Sequence, residues 1–394
     1  MKKNNQVKLT SIRYLNKPIL IMTLIFAVLG AFLILDASSI SAVRTYGFDT
    51  PYYYFIRQIL FICAGLFGSI LVINYPTKYY KGTGFVLSVV SLVILFFLFI
   101  KNSLFSSSVS EVAINIGSFK FQPAEFIKVF LIMYMGAFYG SWVNKDNNNN
   151  RWWIPLLISG ISAILIFLGG DYGSAAIMLT LYALIFISVP TKTKGMRICK
   201  IALCGGIFLA VFGLKFGYKI LPQSVLESSY RFNRLIYTNP CDRYEENSGY
   251  QVCNGYIAID NGGLTGVGPG KSVQKYMYLP ASHTDFIFPI VVEELGVIVG
   301  IILILAYMIL IFFIFRVATS TKNLQNSIIC YGIAIYFMLH IFVNLGGVLG
   351  IIPLTGVPLP FLSYGGSFCI TVICSFAIVQ RINIENEIER HKNA

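Results

Sequence analysis

Ten apolar segments of membrane-spanning length constrain this chain more than any other feature of its sequence. A helix needs about 20 predominantly apolar residues to cross the hydrocarbon core. Only 12% of the residues are charged, against about 25% in soluble domains, so the chain lacks the polar surface of a water-soluble fold. The sequence predicts an all-α polytopic membrane protein that forms one domain over residues 1–394. The predicted spans are 18–36, 55–73, 84–100, 123–142, 153–168, 173–190, 198–216, 286–315, 327–350 and 361–380.

The basic residues predict how these spans are oriented. The net charge is +13, and lysine and arginine concentrate before the first span and in alternate connections. Cytoplasmic loops carry this excess, so the charge indicates membrane orientation and not a nucleic-acid-binding face. Ten spans place residues 1–17 and the tail 381–394 in the cytoplasm, and an odd number would put the basic residues of 192–200 outside.

Residues 217–284 form a large extracytoplasmic loop between the seventh and eighth predicted spans. Loops of this length are usually functional or disordered, and the interleaved tyrosine, phenylalanine and isoleucine residues favour order. We expect short helices and an outer cavity. Cys241 and Cys253 could form a disulfide here if the loop lies outside the cytoplasm. The basic residues of interest are Arg231, Arg234, Lys271 and Lys275.

Asp285 marks the point where this loop enters the eighth span. A carboxylate near the bilayer loses hydration, so it is usually paired, capping or functional. Asp285 could cap the helix, or it could act as a general base toward the hydroxyl of a membrane-bound acceptor. His283 could orient the carboxylate, pair with it or cap the helix. The residues alone leave these alternatives open.

Glu125 and Lys128 bring two opposite charges to one side of the fourth span, near its outer end. Residues three apart on a helix are neighbours. One interpretation is a local ion pair that makes burial of both groups tolerable. The other is that Lys128 contacts a phosphate while Glu125 orients it.

Three further polar positions lie near the predicted outer ends of spans. Asp171 stands between glycines in the turn 169–173, where aspartate usually serves the turn itself. The segment 353–367 is rich in proline and glycine and contains Ser363; such a run survives at membrane depth only where it is buried or lines a cavity. Asn344 is an intramembrane amide that needs a partner.

Together these segments resemble the SEDS family, the FtsW, RodA and SpoVE proteins of bacterial cell-wall synthesis. The resemblance rests on 122–128 (QPAEFIK), on 255–296 with its HTDF and EELG motifs, and on 344–367; Arg57 and Gln58 add weaker support. It covers all ten spans in order.

The resemblance implies a GT-C-like helical fold and a peptidoglycan glycosyltransferase of the bacterial cytoplasmic membrane. Such an enzyme polymerises lipid II at the outer face and releases undecaprenyl diphosphate. Its expected partners are a class B penicillin-binding protein as transpeptidase and other proteins of the divisome or elongasome. The serine-rich run 37–41 leans toward the FtsW branch, but the sequence does not decide between division, elongation and sporulation.

The family's essential aspartate falls on Asp285, which we expect to deprotonate the 4-hydroxyl of the acceptor. The resemblance also implies that Asp171 belongs to the site. A divalent cation, Mg²⁺ or Mn²⁺, could assist the leaving diphosphate. The expected substrate contacts are Glu125, Lys128, Asp171, Arg231, Arg234, Lys271, Lys275, His283, Asn344 and Ser363.

Departures from the family pattern occur beside these positions and spare the acidic residues. Ala281 stands where the family usually has Glu, Gly169 and Gly170 where it has Glu-Pro, and His340 where Gln is common. Two other functions fit the same spans: a flippase for lipid II, or a non-catalytic scaffold. The outer placement of the acidic residues favours the enzyme, because a flippase would need charges along a route to the inner face.

Overall fold

The computed structural model describes residues 13–44, 47, 50–105, 113–116, 119–144, 151–220, 239–245, 247–280 and 282–393. Within them the chain is mostly helical, as predicted. The helices are α1 (Lys17–Arg44), α2 (Tyr53–Asn74), α3 (Tyr80–Phe105), α4 (Pro123–Asn144), α5 (Ile154–Leu168), α6 (Tyr172–Ser188), α7 (Lys194–Ile220), α8 (Asn247–Gly262), α9 (Ile287–Ser320), α10 (Leu324–Val348) and α11 (Gly366–Asn393).

Helices lie at all ten predicted positions, with α8 as an addition in the long loop. Seven helices among the described residues are long and apolar enough to cross a membrane: those at the positions of α1, α2, α3, α4, α9, α10 and α11. Helices α5 and α6 are apolar but shorter. The chain is therefore a multi-pass membrane protein, and the number of ten crossings stays a prediction.

Two predicted boundaries were wrong. Helix α1 continues through the run 37–41, which the sequence analysis placed after the first span. The serine hydroxyls there donate back to helix carbonyls, such as Ser39 Oγ to Asp36 O at 3.0 Å, so they are satisfied within the helix. Helix α11 begins at Gly366 and runs through the predicted tail, where Arg381 and Glu385 form an i, i+4 ion pair of 2.7 Å.

A small β-hairpin departs from the all-α prediction. Strands β1 (Ile114–Ile116) and β2 (Phe119–Phe121) pair antiparallel, with Ile114 opposite Phe121. Both strands alternate apolar and polar residues, the period of a strand with two different faces. Ser367 Oγ accepts from Gln122 N at 2.9 Å and donates to Lys120 O at 3.2 Å, which ties the hairpin to the start of α11.

Small residues let α4 approach α10 at the centre of the bundle. A Cβ at Gly136 would lie 2.4 Å from Ile329, and one at Gly140 would lie 2.6 Å from the Cα of Gln325. Glycines allow this close approach of helix backbones in membranes. Helix α4 is consequently buried over most of its length, so charges on it face protein and not lipid.

The long loop contains the short helices that the sequence predicts, α8 and a 3₁₀ turn at Pro240–Arg243. A disulfide joins Cys241 to Cys253 and fixes this turn to α8. Helix α8 packs against the first part of α9.

Helix α9 is interrupted at Gly296, whose φ of 87° and ψ of 163° are not helical. The helical bonds that Val297 and Ile298 would make are replaced by bonds from their N–H groups to Gly263 O and Leu264 O. The carbonyls of Glu293 and Glu294 accept instead from Val267 N and Gly268 N. Only glycine fits at 296, because a Cβ would lie 2.2 Å from Leu264 O.

Candidate active site

Asp285 lies immediately before α9 and is partly exposed. The N-cap position belongs to Phe286, which makes no side-chain cap bond, so Asp285 is not the cap of this helix. Its Oδ1 accepts a 2.8 Å hydrogen bond from the hydroxyl of Thr284. Its Oδ2 faces Gly356, where a Cβ would lie 3.8 Å away. The carboxylate is thus held at the surface of a turn and stays accessible.

Asn344 fixes the backbone beneath this carboxylate. Its Nδ2 donates to Asp285 O at 2.9 Å and to Val357 O at 2.7 Å. The intramembrane amide therefore has the partners that the sequence analysis required. Through them α10 joins the segment before α9 to the segment before α11. This geometry makes Asn344 a positioning residue for Asp285.

His283 packs among aromatic rings and is buried. Its ring centroid lies 4.5 Å from that of Tyr54, and its carbonyl accepts from Tyr364 N at 2.9 Å. Burial lowers the pKa of His283 to about 4, so the imidazole is neutral at neutral pH. A neutral ring does not form an ion pair with Asp285, and the ring contacts of His283 are with Tyr54 and Tyr364.

Glu125 and Lys128 form the local ion pair, with 2.9 Å between Lys128 Nζ and Glu125 Oε1. Lys128 is 0% exposed and Glu125 is 4% exposed. Lys128 Nζ also lies 3.4 Å from Nε2 of His340, and Tyr336 Oη lies 3.5 Å from Glu125 Oε2. Protein groups enclose both charges, so the structure favours the ion-pair interpretation over a phosphate contact.

Asp171 and Ser363 both complete backbone turns. Asp171 is the N-cap of α6, and its Oδ1 accepts from Ser174 N at 2.9 Å. Helix α6 begins against the segment 355–357, since a Cβ at Gly173 would lie 2.9 Å from Thr355 Cβ. Ser363 Oγ accepts from Leu359 N at 2.8 Å. Most of 353–367 is buried, as its breaker-rich sequence predicts.

Glu293 and Glu294 hold the long loop against α9, a role that sequence reasoning missed. Glu294 accepts from Gly270 N at 2.9 Å and Ser272 N at 3.1 Å, and Glu293 accepts from Val273 N at 3.2 Å. Two adjacent carboxylates in an apolar span were the available signal, because buried charges require partners.

Among the other cations that we expected to contact the substrate, Lys275 already forms ion pairs within the protein. It pairs with Asp36 and with Glu294, each at 2.7 Å. Burial alone would lower the pKa of Lys275, but these two carboxylates outweigh it and raise the pKa. Lys271 is exposed. Arg231 and Arg234 lie outside the described residues.

Arg57 is a half-buried cation on α2 near the same turn. Its guanidinium lies 4.2 Å from the centroid of the Tyr53 ring and beside the Tyr364 hydroxyl. Tyr364 in turn donates its N–H to His283, two residues before Asp285. Among the described residues no carboxylate pairs with Arg57. The sequence analysis used Arg57 only as support for the family.

No group of three or more histidine, cysteine, aspartate or glutamate side chains that could hold a metal ion occurs within the described part of the chain. The carboxylates nearest Asp285 in sequence, Glu293 and Glu294, are directed at the loop. The described donors thus do not fit a resident divalent cation.

Comparison with known proteins places this arrangement in a family. The family model described as "Cell cycle protein", which comprises FtsW, RodA and SpoVE, matches residues 16–388. The chain is 32% identical over 375 residues to a probable peptidoglycan glycosyltransferase FtsW of Coxiella burnetii, covering 94% of this chain and 96% of the relative. It is 31% identical over 370 residues to the stage V sporulation protein E of Bacillus subtilis, covering 93% and 96%.

Two solved structures share the fold. A chain of a peptidoglycan synthase complex, described as coordinating polymerization and crosslinking, superposes with a TM-score of 0.69 at 19% identity, covering 94% of this chain and 98% of that chain. The rod shape determining protein RodA of Thermus thermophilus superposes with a TM-score of 0.63 at 20% identity, covering 94% and 96%. The match over residues 16–388 shows that the chain belongs to the FtsW, RodA and SpoVE family of cell cycle proteins.

Proposed function

We propose that this protein is a peptidoglycan glycosyltransferase that polymerises lipid II into glycan strands. The activity named for its FtsW relatives supports this function. The observation that carries it here is the placement of Asp285. A partly exposed carboxylate stands on a backbone that Asn344 fixes, at the entry of a membrane-embedded helix. That is the geometry a general base needs toward a lipid-linked acceptor.

In this mechanism Asp285 takes the proton of the acceptor 4-hydroxyl. The oxygen then forms a bond to the anomeric carbon of the growing chain, and the bond from that carbon to the diphosphate breaks. Undecaprenyl diphosphate leaves with the electron pair. His283 is neutral at neutral pH, and its packing on Tyr54 keeps the segment in place.

The leaving diphosphate requires positive charge, and Arg57 is a described cation that fits. Lys128 and Lys275 already face carboxylates at 2.9 and 2.7 Å, so moving either one to a phosphate would leave a carboxylate unpaired. The Arg57 guanidinium lies over the Tyr53 ring and beside the Tyr364 hydroxyl. Its planar fork of donors suits phosphate oxygens.

Arg57→Met is expected to lower kcat about 10- to 100-fold. The reason is the loss of one hydrogen bond to a charged group, which contributes about 1.5–3 kcal/mol. Steady-state polymerisation of labelled lipid II measures it. Arg57→Lys should keep part of the rate, since it retains the charge without the fork. Arg390→Met, which removes an exposed arginine from the far end of α11, is the control. A wild-type rate for Arg57→Met would remove Arg57 from the mechanism.

We further propose ten membrane crossings in the bacterial cytoplasmic membrane, with both termini in the cytoplasm and residues 217–284 outside. The basic residues in alternate connections support this orientation, and so does the disulfide between Cys241 and Cys253, since such bonds persist in oxidising compartments. Protease digestion of a C-terminal tag in intact spheroplasts tests it: the tag should be cut only after lysis.

A class B penicillin-binding protein is the proposed transpeptidase partner within the division or elongation machinery. The similar chain that belongs to a peptidoglycan synthase complex supports such a pairing. We assign the protein to division-related wall synthesis, because FtsW is the name of several of its similar relatives. The divalent cation stays a prediction, and no step proposed here uses it.

An assay in detergent separates this function from the alternatives. Detergent micelles have no two leaflets, so a flippase gives no product there, and a scaffold gives none either. The purified protein with labelled lipid II, with and without its partner, should form glycan strands visible on a gel. Lipid II that remains monomeric under both conditions, while the protein moves it across vesicles, would establish transport instead.

A further inference from the structure

Lys275 joins carboxylates from two different helices. Its Nζ lies 2.7 Å from Glu294 Oε1 on α9 and 2.7 Å from Asp36 Oδ1 on α1. Lys275 is 3% exposed, so little water screens these pairs. The pair with Glu294 by itself would attach Lys275 only to α9, the helix that follows the loop. Asp36 adds an attachment to a helix that lies 239 residues earlier in the chain.

A second contact to α1 lies at the neighbouring position. Ser282 Oγ donates to Ala37 O at 3.1 Å, and Ser282 is buried. Asp36 and Ala37 therefore hold the two ends of the segment 275–282, and Asp285 follows three residues later. The remaining attachments of this stretch come from elsewhere: Tyr364 bonds to His283, and Asn344 bonds to Asp285.

Asp36 is exposed enough that a substitution there would not leave a cavity in the core. Its side chain is 30% exposed and lines an open groove of about 290 Å³ at the junction of α1 and α2. Loss of its charge leaves Lys275 paired with Glu294, and leaves Glu294 bonded to Gly270 and Ser272. The loop would stay on α9, and only its attachment to α1 would weaken.

We propose that Asp36 is a positioning residue of the glycosyltransferase: through Lys275 it fixes the segment 275–285 to α1 and so sets the place of the Asp285 carboxylate. This inference rests on the proposed function. A displacement of about 1 Å at a reacting group can lower a rate by about 100-fold. Because the bonds to Glu294, Ala37, Tyr364 and Asn344 persist, the loss expected from Asp36 is smaller.

Asp36→Asn is expected to lower kcat for polymerisation of labelled lipid II roughly 10-fold with KM nearly unchanged. Asp36→Glu, which keeps the carboxylate, should recover most of the rate. Glu387→Gln is the matched control, because it removes one carboxylate from an ion pair of 2.6 Å near the C-terminal end of α11. It should leave kcat unchanged. An equal kcat for Asp36→Asn and wild type would overturn the proposal.

The same substitution in an Asp285→Asn background separates positioning from loss of folded protein. If Asp36 acts by placing the Asp285 carboxylate, its substitution should not lower the residual rate further. A 10-fold loss in both backgrounds would indicate fewer folded molecules and contradict the proposal. A high rate for Asp285→Asn alone would refute the general-base assignment and is thus a distinct result.

Hydrogen–deuterium exchange gives a readout that does not depend on activity. In Asp36→Asn, the backbone amides of 276–285 should exchange faster than in wild type, while amides of α10 and of α11 should be unchanged. Asp36→Glu should restore the wild-type pattern. Unchanged exchange across 276–285 would mean that Asp36 does not hold this segment.

Discussion

Asp285→Asn is expected to reduce glycan polymerisation by at least about 100-fold, within the contribution of about 10²–10⁴ that a general base makes. Asparagine has the same shape, and its side-chain oxygen can still accept from Thr284. The bond from Asn344 goes to the backbone of residue 285 and is unaffected. What disappears is the group that takes the acceptor proton. Purified variant and wild type are compared on labelled lipid II, with and without a class B penicillin-binding protein, the proposed partner.

The control for this experiment is Asp242→Asn, which removes an exposed carboxylate from the 3₁₀ turn of the same loop and should keep the wild-type rate. Melting temperatures of all three proteins in detergent should agree, which shows that a lost rate reflects chemistry and not folding. If Asp285→Asn polymerises lipid II at nearly the wild-type rate, another group performs the deprotonation.

Lys128→Met is expected to destabilise the fold by about 3–5 kcal/mol, because it leaves Glu125 as an uncompensated charge. Glu125 is 4% exposed and its ion pair spans 2.9 Å, so water cannot replace the lysine. A lower melting temperature in detergent and a lower yield of folded protein measure the effect. The double variant Glu125→Leu with Lys128→Met should recover most of the stability, since replacing both partners of a buried pair by apolar groups is often neutral.

The activity of this double variant distinguishes the two interpretations of Lys128. If Lys128 serves only the ion pair, restored stability should bring restored polymerisation. If it contacts a phosphate, the stable double variant should stay inactive. A single variant Lys128→Met that melts at the wild-type temperature would contradict the ion-pair interpretation altogether.

The helical architecture could be predicted because apolar length is a local property of the sequence. Its errors have local reasons as well. The predicted first span ends at residue 36, before the serine-rich run 37–41, yet the hydroxyls of Ser39 and Ser41 bond within α1. Apolar length also ends the last span near 380, whereas ion pairs carry α11 to Asn393. The hairpin at 114–121 was missed because each of its strands has three residues.

The candidate site was predictable where partners are near in sequence. Glu125 and Lys128 are three residues apart, and the ion pair was one of two stated alternatives. The partners of Lys275 were not predictable, since Asp36 lies 239 residues away and only the packing of α1 on the loop brings them together. Likewise the sequence indicated that the Asn344 amide needs hydrogen-bond partners, but it did not indicate which ones. The carbonyls that accept from it belong to two separate segments.

The break at Gly296 divides α9 into a short part, residues 287–295, and a long part, residues 297–320. Residues 293 and 294 of the short part accept hydrogen bonds from Val267 and Gly268 of the loop, and the long part continues to Ser320. A helix that is longer than the bilayer is thick tilts to match it. Because residue 296 is not helical, the two parts of α9 need not share one axis, and the loop at 263–268 bonds to both of them. We therefore expect polymerisation of lipid II to depend little on membrane thickness, because Asp285 lies beyond this break from the longer part of α9.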